Sequence, residues 1–306
     1  MHSLNEPLIS IGIPTYNRPD GLRRTLTEIT GQTYPNLDII VSDNASSGED
    51  TENIVREFMR NDQRIRYFKQ ITNLGVHPNF QFVLAQARGE YFMWAADDDW
   101  RKANFIEELY QKLSGDSCAV IAFCDFDSRN EEGATVLGFP KFLDALKLMC
   151  KSSAFLRQVS FFLLKEGTAK PHPIYGLIRR DVLAGFSWTG FTEKYGGNAA
   201  DALFIFWLMT KGRLALSEKQ LFGCTVGNKK DYIETGKKWN IPIYLSFITQ
   251  QIKYIYGYIR IAQGVSKLVL ILFFPCKLLE IIKLFAISPS IKFIKKWLSL
   301  LTKRRA

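Results

Sequence analysis

Residues 8–124 alternate short apolar runs with amphipathic stretches, and this alternation restricts the fold more than any other feature of the chain. Runs at 8–13, 38–41, 65–68, 90–96 and 118–124 have strand length, and the segments at 21–30, 51–60, 79–87 and 103–113 carry helical periodicity. Strands alternating with helices at this spacing build βαβ units. Such units assemble into a mainly parallel sheet with helices on both faces. The chain therefore reads as α/β, Rossmann-like, and 306 residues suffice for one sizeable domain plus an appendage. After residue 131 the pattern loosens. Residues 142–164 read as a buried helix or a broken pair, 172–178 as a strand entering a helical turn at Arg180, 199–211 as a helix closed by Gly212, and 213–217 as a strand.

In a parallel sheet the carboxyl ends of the strands share one edge, and open α/β sheets take their ligands there. Four loops fall at that edge: Pro14-Thr15-Tyr16-Asn17-Arg18, Asp43-Asn44-Ala45-Ser46-Ser47-Gly48, Asn73-Leu74-Gly75 and the triplet Asp97-Asp98-Asp99. Three adjacent carboxylates at the mouth of a buried strand repel one another and lose hydration, which a hard divalent cation such as Mg²⁺ or Mn²⁺ relieves. The alternative is a solvated acidic turn in which Asp99 caps the next helix. Uncharged hydrogen-bonding groups, a lone carboxylate at Asp43 and an acidic cluster together suit a nucleoside diphosphate.

Taken in order, Pro-Thr-Tyr-Asn-Arg, Ser-Asp-Asn-Ala-Ser, Asn-Leu-Gly, Gly-Glu-Tyr and a final acidic run resemble the family 2 glycosyltransferases of the GT-A fold. The resemblance is close over residues 8–100 and looser to about 225. It implies an inverting, metal-dependent transfer of sugar from a nucleoside diphosphate donor, usually a UDP-sugar, to an acceptor hydroxyl. It also implies a domain over 1–225, with a nucleotide half to about 125 and an acceptor half beyond it, followed by a helical tail over 226–306. By the same resemblance Pro14, Thr15, Tyr16 and Arg18 lie around the nucleotide, Asp43 binds the base, and Asn73 and Gly75 belong to the nucleotide wall. Counted from Gly89-Glu90-Tyr91, the first aspartate of the usual Asp-x-Asp falls on Ala96 and the second on Asp98. Asp98 is then the expected metal ligand, Asp97 a ribose or metal contact, and Asp99 a second ligand or a helix cap. Asp201, at the head of the helix after Gly196-Gly197, occupies the place of the family's base, with Glu193 as the fallback and Tyr175-Gly176 on the acceptor side. A carboxylate in a helix's first turn is also favoured by the macrodipole alone.

Other residues read more plainly. His77 and His172 have no second ligand at metal spacing and read as loop or packing histidines. Phe92 and Trp94 belong to a strand buried on both faces. Trp188, in the loop Phe186-Ser187-Trp188-Thr189-Gly190, is the better candidate for a sugar platform, the alternative being a plain loop aromatic. The lysines at 229 and 230 read as a basic turn or as a flap over the diphosphate.

The net charge of +10 resides in the tail: residues 241–306 hold eight Lys, three Arg and one Glu. No apolar stretch there reaches the roughly 20 residues that span a bilayer. In its last part Ile291, Ile294, Trp297, Leu298 and Leu301 share one helical face, opposite Lys292, Lys295, Lys296 and Lys303. That pattern predicts a helix lying in a membrane interface, the alternative being a helix packed on protein. A lipid-linked or saccharide acceptor and a role in cell-surface polysaccharide or glycolipid assembly fit it. Nucleic acid is disfavoured because large aliphatics interrupt the cations. Five scattered cysteines and no basic-then-apolar leader predict a reducing, cytoplasmic setting, peripheral to the membrane. A nucleotidyltransferase would want a Gly-rich basic loop after the first strand, and a dinucleotide enzyme Gly-x-Gly-x-x-Gly; neither is there. A non-catalytic membrane-docking scaffold is the remaining rival.

Overall fold

Ile9, Ile11 and Ile13 are fully buried on the first strand, β1 (Ile9–Thr15), and the sheet grows outward from it. The computed structural model describes residues 6–166, 169–197, 199–225 and 241–283. β2 (Leu37–Asp43) and β4 (Tyr91–Trp94) flank β1 in parallel, and β3 (Ile65–Lys69) lies parallel outside β2. Between them run α1 (Pro19–Thr30), α2 (Asp50–Asn61) and α3 (Val76–Ala85). The helix α1 starts with Pro19 at a position where the missing N–H costs nothing, and buries Leu22, Thr25, Leu26 and Ile29 at helical spacing.

After β4 the chain makes the short β5 (Trp100–Arg101), α4 (Phe105–Ser114), the long β6 (Ala119–Arg129) and β7 (Thr135–Gly138). The expected helix or broken pair at 142–164 is a pair, α5 (Pro140–Cys150) and α6 (Ala154–Leu163), the latter capped by Ser153. The strand expected over 172–178 is shorter. Pro171 and Pro173 turn residues His172–Tyr175 into a 3₁₀ turn, and only β8 (Leu177–Arg179) is extended. Next come α7 (Trp188–Tyr195), α8 (Ala200–Lys211) and β9 (Arg213–Thr225), which runs eight residues past the expected end at 217.

The order β3-β2-β1-β4-β8-β6-β9-β5 makes one sheet, with β7 paired on β6. β8 is antiparallel to both β4 and β6, and β6 is parallel to β9. Hence β1, β2, β3, β4, β6 and β9 point the same way and only the short β5, β7 and β8 oppose them. The sheet is mainly parallel, and its helices lie on both faces.

Two tail helices follow, α9 (Ile241–Ile261) and α10 (Gly264–Ile282). Tyr254, Ile255, Tyr258 and Ile281 join the same core cluster as the sheet. Glu166 receives the ammonium groups of Lys170 at 2.6 Å and Lys277 of α10 at 3.0 Å, both lysines being only 2% exposed. Burial opposes the Glu166 charge, but the two lysines outweigh it and hold the carboxyl below its usual range. Part of the tail's basic charge is thus internal. Among the described residues no helix is long and apolar enough to cross a membrane. The amphipathic stretch at 291–303 and the loop at 227–231 lie outside the described residues.

Candidate active site

Because β1, β2 and β4 are parallel and in register, Thr15 stands beside Asp43, and the turn after Trp94 comes down next to Thr15. The Thr15 hydroxyl donates to Asp97 Oδ2 at 2.7 Å. Arg18 is paired with the Asp98 carboxylate and lies 3.8 Å from Asp97 Oδ1. Arg24 and the Thr225 hydroxyl both donate to the Asp98 carbonyl, and the Thr225 N–H donates to Asp99 Oδ1 at 3.2 Å. A glycine is needed at position 21, where a Cβ would sit 2.2 Å from the Asp97 carbonyl oxygen. Its absence lets α1 press on the acidic turn.

The three aspartates differ. Asp98 is the outward one, its side chain 32% exposed and facing a guanidinium. Asp97 is pushed up to about 6, mainly by burial, against the Thr15 hydrogen bond. Asp99 points inward and is pushed up to about 7 by burial, which Arg101 partly offsets. The cap expected of Asp99 does not form. β5 intervenes, α4 starts after Asn104, and Asp99 engages β9 instead. Asp99 Oδ2, Trp100 Nε1 and Arg101 Nε and Nη1 are buried without a hydrogen-bond partner among the described residues.

Neighbouring loops form a wall. Asp43 is buried, and its carboxylate accepts from Tyr67 at 2.9 Å and from the Ser46 N–H at 2.8 Å. Asn44 donates to Asn73 Oδ1 at 2.9 Å and accepts from the Leu74 N–H at 2.8 Å, while Asn73 also accepts from the Gly75 N–H. Gly75 has φ of 86°, a conformation glycine adopts freely. Pro14 is the penultimate residue of β1 and Tyr16 is 44% exposed at its mouth. Asn17, Ala45 and Ala199 are non-glycine residues with positive φ, and all three lie in loops at this edge.

Asp201 opens α8 just after Ala199, on a helix otherwise buried on nearly every side. Its Oδ1 accepts the Ala202 N–H at 2.8 Å, and burial raises its carboxyl above the ordinary range. It lines a cavity of about 260 Å³ with His77, Phe80, Ile174, Tyr175 and Trp188. Tyr175 lines the same cavity as Asp201, and its hydroxyl is pushed up mainly by burial, with the charges of Asp99, Asp98 and Asp201 adding to the rise. Glu193 lines a different cleft.

Trp188 is 1% exposed at the start of α7, not in a loop, and offers no platform. It packs on Phe204 at 5.1 Å and on Phe186 at 5.1 Å. Phe92 and Trp94 are core, and His172 stacks on Phe126 at 4.9 Å, as expected of packing residues. His77 stacks on Trp188 at 5.5 Å while facing the Asp201 cavity, a placement its sequence neighbourhood did not signal. Arg24, Arg101 and Thr225 were also missed, since each reaches the acidic turn from a segment with no motif.

The donor set at the acidic turn is all oxygen, which fits a hard divalent cation, and the Arg18 guanidinium stands opposite Asp98 where a countercharge is needed. Among the described residues no group of three or more His, Cys, Asp or Glu side chains converges as a preformed metal centre.

The sequence model of glycosyl transferase family 2 matches residues 10–184. Curated relatives include a GalNAc(5)-diNAcBac-PP-undecaprenol beta-1,3-glucosyltransferase of Campylobacter jejuni, 34% identical over 119 residues covering 39% of this chain and 38% of that protein. Glycosyltransferase GlyA of Streptococcus pneumoniae is 34% identical over 105 residues, 34% of this chain and 15% of that protein. The chain thus spans well under half the length of these relatives. Among solved structures, S. aureus TarS 1-349 in complex with UDP is similar with TM-score 0.58 and 16% identity, covering 88% of this chain and 87% of that one. The mannosyltransferase PcManGT of Pyrobaculum calidifontis, in complex with GDP-Man and Mn²⁺, gives 0.57 and 16% identity, covering 97% and 81%. The fold is GT-A, and the chain belongs to glycosyl transferase family 2.

Proposed function

We propose that this protein is an inverting glycosyltransferase that moves a sugar from a UDP-linked donor to an acceptor hydroxyl. The observation that carries the reading is the acidic turn after β4, held against the β1 loop by the Thr15 hydroxyl on Asp97 and the Arg18 guanidinium on Asp98, at the edge where β2 presents Asp43. The loops after β1, β2 and β3 would take the nucleoside: Asp43 and the Asn44–Asn73 pair its base side, Thr15, Tyr16 and Arg18 its ribose and phosphates. Asp98 would hold Mg²⁺ or Mn²⁺, with Asp97 and Asp99 adding oxygen atoms or charge. The ion's chemistry there is to neutralise the departing diphosphate.

Asp201 would take the proton from the acceptor hydroxyl as its oxygen bonds to the anomeric carbon. The bond from that carbon to the diphosphate breaks, and its electron pair leaves on the diphosphate oxygen. Burial suits Asp201 to this task by raising its basicity toward the operating pH. Tyr175 and Trp188 give that cavity aromatic walls. The neighbours bound to UDP and to GDP-Man with Mn²⁺ support a nucleoside diphosphate donor and a divalent ion.

We also place the protein at a membrane surface, working on a lipid-linked or saccharide acceptor in cell-surface glycan assembly. Val265, Leu268, Leu272 and Leu279 are exposed along α10, and the basic amphipathic sequence follows it. The first test is thermal shift with UDP and Mn²⁺ together. Native protein should be stabilised and Asp98→Asn should not; equal responses would reject the metal assignment. Flotation with anionic vesicles should lift the intact chain and leave behind one ending at residue 283.

A further inference from the structure

A second cleft adjoins the Asp201 cavity and has a different chemistry. It lies between the end of α7 and α9, encloses about 630 Å³, and is lined by Lys194, Tyr195, Gln250, Lys253, Tyr256 and Arg260. Gly197 lines both spaces. A Cβ placed on Gly197 would meet nothing within 4 Å among the described residues, so no side chain crowds this shared lining residue. None of Thr15, Arg18, Asp43 or Asp97 borders this cleft.

Among the described residues that line it, three are cations against the one carboxylate of Glu193. Arg260 is pre-positioned: its guanidinium lies 5.8 Å from the Tyr195 ring and 6.0 Å from the Tyr256 ring, and Nη1 donates to the Lys194 carbonyl at 2.6 Å. The Lys194 ammonium lies 5.2 Å from the Tyr195 ring. Lys253 is exposed on the neighbouring turn of α9. Tyr256 is 54% exposed and offers a ring face of the kind on which a sugar stacks. A guanidinium fork beside point-charge ammoniums is the donor set that recognises phosphate. The volume falls in the range of small-molecule sites.

We infer that this cleft seats the acceptor, and that the acceptor is a saccharide bearing a phosphate-type anion, held by Lys194, Lys253 and Arg260 with its reacting hydroxyl reaching over Gly197 to Asp201. The inference rests on the glycosyltransferase reading and names the acceptor class for that site. Free sugar phosphates and lipid-linked sugar pyrophosphates share this chemistry.

The test titrates the full chain, without donor, with N-acetylglucosamine 1-phosphate and with N-acetylglucosamine, by calorimetry. The phosphorylated sugar should bind at least about tenfold more tightly, and Lys253→Glu should abolish the preference, as charge reversal in a cationic site does. Lys253→Ala, which keeps helix propensity, should reduce the preference partially and guards against misfolding of the reversal. Equal affinities for the two sugars, no binding of either, or an unchanged preference in Lys253→Glu would overturn the proposal. A detergent-solubilised polyprenyl diphosphate sugar forms the second arm. Binding of it well above that of the soluble phosphate assigns the lipid source, and the reverse assigns the soluble one; either supports the cleft. The UDP and Mn²⁺ thermal shift on the same preparations reads the donor side separately, so an intact shift with no sugar phosphate binding removes the acceptor seat alone.

Discussion

Glu166→Gln removes the anion that two buried ammonium groups share, leaving Lys277 its contact with Glu280 at 3.0 Å. Lys170 and Lys277 are each 2% exposed and reach the Glu166 carboxylate at 2.6 and 3.0 Å, while Glu166 itself is 10% exposed. Even with its partner, Lys170 is pulled down to about 8 by burial, the carboxylate offsetting only part of that cost. Without the carboxylate the cheapest escape is to neutralise a lysine. Lys170 already sits at about 8, so neutralising it at pH 7 costs about 1.4 kcal/mol beyond what the native protein bears, at 1.36 kcal/mol per pKa unit. That caps the share of Lys170, and breaking buried pairs as a whole typically costs about 3–5 kcal/mol. Urea unfolding of the variant at pH 7 should therefore show a loss of about 3–5 kcal/mol. The sign of the pH dependence follows from Lys170. A lysine whose folded pKa is depressed binds fewer protons folded than unfolded, so stability rises with pH through that window. Removing Glu166 depresses the folded value further, so the variant's extra loss should shrink as pH rises toward about 8, the native value. Glu166→Leu combined with Lys170→Met and Lys277→Met should recover most of the stability, because the one charge it strands, Glu280, has a side chain 29% exposed to water. A loss under about 1 kcal/mol, typical of a surface pair, would show that α10 is not docked through this triad.

Asp201→Asn should lower kcat by about 10²- to 10⁴-fold, the usual contribution of a positioned base, with the UDP and Mn²⁺ thermal shift preserved. Its native counterpart should lose activity as pH falls through a pKa above the ordinary carboxylate range, since the base works only when ionised. Stability should move the other way. A folded pKa raised by burial means stability falls as pH rises through the window above the ordinary value, so Asp201→Asn should melt no lower than native at pH 7. Trp188→Ala should cost about 3–5 kcal/mol in urea unfolding, the penalty of emptying a core aromatic site, rather than a selective rise in acceptor KM.

The first half of the molecule was legible because each strand and helix there advertises its own period. Ile9, Ile11 and Ile13 alternate on β1, and Leu22, Leu26 and Ile29 follow the α1 stripe. The same alternation placed Thr15, Asp43 and Asp98 at one edge before any side chain was located. What lay hidden depends on contacts between distant segments. Asp99 reads as a helix cap from its neighbours, yet the Thr225 N–H, 126 positions away, claims it. Trp188 follows Gly185 and so resembles a loop residue, yet Phe186, Phe204 and His77 enclose it. The basic tail shows net charge but not that Lys277 spends its charge inside the protein.

β8 belongs to neither half alone: Arg179 and Ile178 pair with Tyr91 and Phe92 on one side, and Ile178 and Leu177 with Ile121 and Ala122 on the other. A three-residue strand therefore rivets β4, and with it β1, β2 and β3, to β6 and β9 through continuous backbone hydrogen bonds. Rotation of one half against the other would have to tear that seam. Whatever shields a bound sugar from hydrolysis must accordingly come from segments at the rim, and changes of specificity are confined to the same rim while the underlying plate stays fixed.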